Sequence, residues 1–138
     1  MNPSKAYVEM TNIDTETSLD INEAIMSRGA RYLEAQIQGS LEEAEEGRLV
    51  LLCAGDRSLY DECHSCFEAI GYSSFFFGDV GNATKMNLVI QMMCATVIAG
   101  LAESMALIEK FGLLQSDMIE ILNLTPLKSK LIMDKANC

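Results

Sequence analysis

Short apolar runs in the first 80 residues predict four β-strands. These runs span residues 5–9, 31–35, 48–54 and 73–77. The third run, from Arg48 to Ala54, is almost continuously apolar. Such a run is typical of a strand that is buried on both faces in a parallel sheet.

Capping residues predict where two helices lie between these strands. Asp14 can cap a first helix that runs to about Ser27 and is closed by Gly29. Asp56 can cap a second helix that runs to about Ile70 and ends at a glycine. The acidic stretch between the second and third strands is expected to be a solvated helix face or a loop.

After residue 81 the pattern predicts helices only. A long apolar helix begins at Asn82, and two shorter helices are expected within residues 113–120 and 127–136. The sequence therefore predicts an α/β fold followed by an all-α segment. We expect a partial Rossmann-like domain with a parallel sheet over residues 1–80, and the start of a helical domain over residues 81–138.

The charge of the chain argues against direct binding to nucleic acid. It has a formal net charge of -10 and a pI near 4.4, whereas nucleic-acid affinity depends on Lys and Arg side chains that displace counterions from phosphates. With 138 residues, 49% of them hydrophobic, the chain can bury one substantial core but is short for two complete domains.

Cysteine content and hydropathy favour a reducing compartment and no membrane span. Five Cys residues and no apolar leader after Met1 suit the nucleus or cytosol better than a disulfide-stabilised secreted domain. The apolar run from Leu88 to Leu107 is interrupted by Gln91, Thr96 and Glu103. We therefore expect a buried helix there.

The segment Cys63-His64-Ser65-Cys66 raises a metal or redox interpretation that the pattern does not favour. A structural zinc site needs four ligands, and this cluster offers at most three. A redox-active pair benefits from a helix N-terminus that lowers the thiol pKa, whereas the predicted helix begins well before it, at Asp56. We expect these Cys residues to be buried on a helix face, His64 to have a packing or surface role, and no metal to bind.

A glycine turn followed by the long helix carries the clearest resemblance. The segment from Gly81 to Gln91, GNATKMNLVIQ, resembles the opening of the second domain of the β-hydroxyacid dehydrogenases. In that family, Gly and small residues precede a catalytic Lys and, four positions later, an Asn. Here Asn87 stands at the Lys position and Gln91 at the Asn position, on one face of the helix.

Two further loops resemble the site of this family, with substitutions. The segment EMTN at residues 9–12 is similar to the family's Asp-x-Ser-Thr loop near the nicotinamide. The resemblance therefore implies partial cofactor contact at Thr11 and Asn12. The segment AQIQG at residues 35–39 is similar to Ala-Pro-Val-Ser-Gly, the substrate-anchoring loop, with Gln38 in place of the Ser.

These substitutions imply that turnover is lost. A Lys ammonium can protonate and stabilise the alkoxide that develops during hydride transfer, whereas Asn87 has no positive charge and no titratable proton. Lys85 lies roughly 200° around the helix from Asn87, so it cannot take its place. A simpler alternative stays open, in which Asn87 is only a polar helix residue near a domain junction.

The resemblance implies two opposed functions. Residues 32–35, 54–60 and 74–83 resemble a nuclear branch of the family. This implies a catalytically inactive dehydrogenase-like module of a chromatin-associated, nucleosome-destabilising factor, which acts in oligomerisation and partner binding to support transcription. The alternative is a working NAD(P)-dependent reductase of small hydroxy or aldehyde acids, such as glyoxylate or succinic semialdehyde. A third possibility is an NAD(P) sensor within a full-length parent.

The sequence lacks the glycine fingerprint with which Rossmann domains bind a dinucleotide cofactor. No G-x-G-x-x-G turn, which binds the pyrophosphate in Rossmann domains, occurs in the 138 residues. We therefore expect a fragment that lacks the family's N-terminal half and the end of its helical domain. The family uses NAD(P), but we expect no cofactor for this segment alone.

Small residues on the long helix predict a packing seam. Thr96, Gly100 and Ser104 recur every four residues, a spacing that lets another helix approach closely. Packing within one subunit is the simpler explanation. The family associates through its helical domain, and nine Met residues suit adaptable apolar surfaces. We therefore expect a homo-oligomer through this helix, with chromatin proteins as partners of the full-length parent.

Overall fold

The computed structural model describes residues 5–136, and its elements alternate between strands and helices before becoming helical. The elements are β1 (Ala6–Glu9), α1 (Thr15–Met26), β2 (Arg31–Gln38), α2 (Leu41–Glu45), β3 (Leu49–Gly55), α3 (Arg57–Glu62), α4 (His64–Ile70), β4 (Gly71–Phe76), α5 (Asn82–Lys110), α6 (Gln115–Leu124) and α7 (Lys130–Ala136). The predicted class, α/β followed by all-α, is confirmed.

The sheet has the order β1-β2-β3-β4 and is mixed. β1 pairs with β2, and β3 with β4, in parallel. β2 and β3 are antiparallel, which differs from the parallel sheet expected from the apolar run of β3. The connection explains the difference, because a parallel crossover needs a dozen or more residues. Residues 39–48 hold only the short helix α2.

One face of the sheet carries the apolar core. α3 and α4 cover this face, and the buried cluster consists of Leu33, Ala35, Leu51, Cys53, Leu59, Tyr60 and Phe67. Because side chains alternate along a strand, the opposite face of β2 presents Tyr32, Glu34 and Gln36. All three are buried. Residues of α1 and of the first turns of α5 contact this second, polar face.

The helix predicted from Asp56 to Ile70 is two helices. Asp56 caps α3 as predicted, accepting a hydrogen bond from Leu59 N at 2.8 Å, but α3 ends at Glu62 and α4 begins at His64. No Gly or Pro marks this interruption. Cys63, between the helices, is half-buried and Cys66 is exposed, so the expectation that both Cys residues are buried is wrong for Cys66.

Helix α5 extends over two compact units, residues 1–89 and 90–138. Its first turns bury Ala83, Thr84 and Asn87 in the first unit. In the second unit, the helices α6 and α7 follow the rest of α5, and the side chain of Gln115 donates to the carbonyl oxygen of Met105 at 3.4 Å.

The apolar stretch of α5 is exposed rather than buried. Its most apolar 18-residue window has a mean hydropathy of 1.6, and none of that window is buried. Met92 and Met93 are 66% and 68% exposed. The predicted burial of this helix is therefore wrong within the described chain. The two helices that follow it there have only 10 and 7 residues. Judged by length and composition alone, this helix is long and apolar enough to cross a membrane.

Candidate functional site

Glu34 is a fully buried carboxylate that holds the N-terminus of α5. Its Oε1 accepts from Gly81 N at 2.7 Å and from Thr84 Oγ1 at 3.3 Å. Its Oε2 accepts from Thr84 N at 3.4 Å, and Ser18 Oγ also donates to Oε1. The first N–H groups of a helix have no partner within the helix, and the helix dipole favours negative charge there. Glu34 therefore fixes the start of α5 against β2.

The turn before α5 requires a glycine. Gly81 has a φ of 94°, a conformation that residues with a Cβ rarely adopt. A Cβ at this position would also lie 2.9 Å from Thr15 Cγ2. Gly81 therefore allows its N–H to reach Glu34 while α1 packs close by.

Three amide side chains meet beside the first turns of α5. Gln38 Nε2 donates to Asn87 Oδ1, and Asn87 Nδ2 donates to Asn12 Oδ1 at 3.4 Å. Asn87 is only 4% exposed. We call Asn12, Gln38 and Asn87 the amide network. The structure thus brings together three positions that the resemblance assigned to one site, while Gln91 lies one turn further along α5, in the second unit.

The amide network supplies hydrogen bonds but no charge. Asn and Gln side chains are neutral donors and acceptors with no proton to release. Both polar atoms of the Asn87 side chain are engaged. Lys85, the ammonium group nearest in sequence, is exposed and donates to Asn82 Oδ1 at 3.4 Å.

The two residues predicted to contact a cofactor, Thr11 and Asn12, both form hydrogen bonds within the protein. Thr11 donates to Glu9 Oε1 through its N–H, at 2.9 Å, and through its hydroxyl. Tyr7 Oη donates to Glu9 Oε2 at 3.0 Å. These bonds, the one from the Thr11 hydroxyl first, lower the pKa of Glu9. Asn12 belongs to the amide network.

The described residues do not by themselves fit a dinucleotide. The sequence contains no glycine fingerprint for the pyrophosphate. The Thr11 hydroxyl and the Asn12 amide, which the resemblance assigns to the nicotinamide side, already form internal hydrogen bonds. Within residues 5–136, no group of three or more His, Cys, Asp or Glu side chains is placed to hold a metal ion.

Gln36 is fully buried on the same face of β2, between Glu34 and Gln38. Neither its amide nitrogen nor its amide oxygen has a hydrogen-bond partner in the described chain. The resemblance places Pro at this position in the family. An unpaired buried polar group costs about 1–3 kcal/mol, so Gln36 is a local source of instability beside the amide network.

Sequence reasoning missed the cluster around Glu34. Ser18 Oγ shares a hydrogen bond with Tyr32 Oη at 2.9 Å and also contacts Glu34. Burial, together with the nearby charge of Glu34, raises the pKa of Tyr32 to about 12. The available signal was a carboxylate between the apolar residues Leu33 and Ala35 of a predicted strand, since Glu is rarely buried unless it is paired.

The fold and the altered site define a dehydrogenase-like α/β module. Residues 1–99 match the family model of the NAD binding domain of 6-phosphogluconate dehydrogenase. The chain therefore belongs to this NAD-binding dehydrogenase family, as the resemblance implied.

Individual relatives agree with this assignment. The chain is 59% identical over 133 residues to the cytokine-like nuclear factor N-PAC of Anopheles gambiae. The matched residues are 96% of this chain and 24% of that protein. It thus spans about a quarter of the length of this relative.

Solved structures share the fold. The 3-hydroxyisobutyrate dehydrogenase of Salmonella typhimurium superposes with a TM-score of 0.87 at 19% identity, over 97% of this chain and 47% of that one. Psf3, solved in complex with NADP+ and 2-OPP, gives a TM-score of 0.83 at 22% identity, over 94% of this chain and 45% of that one.

Proposed function

We propose that this chain is a catalytically inactive dehydrogenase-like module of a nuclear, chromatin-associated factor. Its role is assembly and partner binding in support of transcription through nucleosomes. The amide network carries the proposal, because Asn87 is a neutral group at the position where the resemblance to the family implies an ammonium. The nuclear assignment follows the name of the N-PAC relative, which is 59% identical.

The chemistry of hydride transfer supports inactivity. Reduction of a carbonyl develops negative charge on oxygen, and positioned donors that carry charge or a mobile proton lower that barrier most. Asn87 offers only neutral N–H donors, and its amide nitrogen already donates to Asn12. Gln38 holds the Asn87 oxygen and occupies the position where the family anchors the substrate.

The exposed face of α5 supports assembly. A Cβ at Gly100 would meet no atom within 4 Å beyond its own helix. The hydroxyls of Thr96 and Ser104 donate to the helix carbonyls of Met92, at 2.9 Å, and Gly100, at 2.7 Å. The hydroxyls of this stripe are therefore bonded within the helix, and the stripe is open to the close approach of a second helix.

A second copy of this chain suits that surface better than a lipid bilayer. Glu103 lies in the exposed stretch of α5, and a carboxylate at membrane depth costs several kcal/mol. The first turns of the same helix are buried against a folded α/β unit.

For partners other than a second copy, the net charge of -10 is suited to basic proteins and not to phosphate backbones.

The catalytic part is tested by cofactor titration and turnover. We expect that NADPH fluorescence shows no tight binding by the chain, and that neither glyoxylate nor succinic semialdehyde is reduced. Micromolar NADPH binding with turnover abolished by Asn87→Ala would instead support the reductase alternative. Asn123→Ala, which removes an exposed amide of α6, is the matched control and should leave both measurements unchanged.

The assembly part is tested separately by the concentration dependence of the molecular mass. We expect light scattering to report a species heavier than one chain at micromolar concentration. A mass equal to one chain at all concentrations would contradict assembly without bearing on catalysis.

A further inference from the structure

Cys63 and Cys66 lie in one helical turn at the surface of the first unit. Cys63 separates α3 from α4, so the pair lies at a helix junction and not well inside a single helix from Asp56, as the sequence had led us to expect. Its carbonyl oxygen accepts from Phe67 N at 3.0 Å, so Cys63 already belongs to the hydrogen-bonded first turn of α4. Cys63 is half-buried, Cys66 is exposed, and both are free thiols.

Their spacing suits a disulfide bond. Two residues three apart in a helical turn have Cα atoms about 5 Å apart, within the range of about 4.4–6.8 Å that disulfides join. Their side chains lie on the same helix face. Burial raises the pKa of the Cys63 thiol most, and the neighbouring Cys66 and Glu62 raise it further, so the exposed Cys66 is the thiol that attacks first.

We propose that Cys63 and Cys66 form a reversible dithiol site whose co-reactant is a small disulfide of the glutathione class. The exposed Cys66 thiolate attacks one sulfur of that disulfide, its S–S bond breaks, and the departing thiolate takes up a proton. The Cys63 thiolate then attacks the Cys66 sulfur and releases the second small thiol. Two protein thiols are oxidised to one disulfide, and one small disulfide is reduced to two thiols.

The other described thiols are unsuited to this exchange. Cys53 is fully buried, so a small disulfide cannot reach its sulfur atom. Cys94 is half-buried, and no second Cys lies within four residues of it. The proposed bond closes a ring of only four residues, so it adds little chain-entropy stabilisation. Its role is therefore reversible chemistry and not the reinforcement of the fold.

The test follows each thiol across glutathione redox buffers. The full chain is equilibrated at a series of reduced-to-oxidised ratios, the remaining thiols are trapped with a maleimide, and peptides are weighed. We expect Cys63 and Cys66 to become protected together, in a peptide lighter by two hydrogens. Their half-protection should depend on the square of the reduced glutathione concentration. Retention of both maleimide adducts at every ratio, or glutathione on Cys66 while Cys63 stays reactive, would overturn the proposal.

Single substitutions identify the partner thiol. Cys66→Ser, at an exposed position, should abolish protection of Cys63, and Cys94→Ser should leave the paired protection unchanged. In Cys63→Ser, Cys66 should accumulate as a mixed disulfide because no second thiol resolves it. Cys63 packs against the core, so Cys63→Ser can fail to fold. In that case Cys66→Ser alone tests whether Cys63 and Cys66 pair. Protection of Cys63 that persists in Cys66→Ser would refute the pairing.

Discussion

Glu34 shows how a single buried charge can organise a site. A buried carboxylate is costly unless hydrogen bonds replace its water. Here, donors from Ser18, Gly81 and Thr84 surround it. Because Glu34 lies within the sheet, it sets where α5 begins. The position of Asn87, little more than one turn later, follows from that start.

Gln36 presents the opposite situation, a buried amide with no partner in the described chain. We predict that Gln36→Leu raises the free energy of unfolding by about 1 kcal/mol or more, because it removes an unpaired polar group. Urea denaturation measures the change.

Gln38→Leu is the matched comparison for Gln36→Leu. It deletes the hydrogen bond to Asn87 and should lower the free energy of unfolding. A destabilising Gln36→Leu would contradict the prediction, and it would be the result expected if an ordered water or a ligand bonded the Gln36 amide.

We predict from the pKa of Tyr32 that the folded state loses stability at alkaline pH. Its folded pKa, about 12, is raised above the ordinary value of about 10. The contribution of Tyr32 is therefore fully present below about pH 10 and is lost as the pH rises towards 12. Ultraviolet absorbance of the phenolate should show a late ionisation that coincides with unfolding.

Two substitutions test whether Tyr32 is the group that causes this late ionisation. Tyr32→Phe should remove it, whereas Tyr72→Phe, which alters an exposed ring, should retain it. An unchanged late phase in Tyr32→Phe would show that another group causes it.

At the scale of elements, the glycine turn before α5 is the most sensitive junction. We predict that Gly81→Ala lowers the free energy of unfolding by more than Gly112→Ala does. Both glycines have positive φ, 94° and 70°, which costs a residue with a Cβ about 1–2 kcal/mol. Only Gly81 adds a steric clash, because its Cβ would lie 2.9 Å from Thr15. Equal losses in thermal melting would show that α1 moves aside without cost.

The strands and the first helix were predictable because local signals specify them. Apolar runs set the four strands, and Asp14 caps α1 by accepting from Thr17 N at 2.9 Å. The interruption at Cys63 carries no such signal. The antiparallel pairing of β2 with β3 depends on a connection too short for a crossover, which strand patterns alone do not reveal.

The candidate site was predictable only in part, for a similar reason. Resemblance indicated Asn87, Gln38 and Asn12, and the structure brings them together. The role of Glu34 depends on partners 47 and 50 residues away in sequence. Periodicity within a strand cannot report such contacts, so the sign available in the sequence was a Glu between Leu33 and Ala35 of a predicted strand.

The sheet and the long helix α5 differ in how far their apolar side chains are buried. The first unit buries apolar side chains on one sheet face, whereas the most apolar window of α5, the helix that extends over both units, is exposed. Large exposed apolar surfaces usually mark association sites. The net charge of -10 opposes association through self-repulsion, so assembly through this helix should strengthen as salt screens the charge.

Gly100→Leu separates assembly from folding at the scale of the whole molecule. Within the described chain, a Cβ at Gly100 meets nothing within 4 Å beyond its own helix. Leu is a better helix former than Gly by roughly 0.8 kcal/mol. The single chain should therefore melt at the same temperature or higher. Between two closely packed helices, the same side chain causes strain of about 1–3 kcal/mol at each contact.

We accordingly predict smaller species by light scattering for Gly100→Leu, with no loss of helix by circular dichroism at low concentration. Glu109→Gln, an exposed change on the same helix, should keep the mass of the unsubstituted chain. If Gly100→Leu kept that mass as well, the stripe of Thr96, Gly100 and Ser104 could not be a helix seam between copies. Assembly would then require a different face of α5, because the bulk of a Leu side chain cannot fit where two backbones approach closely.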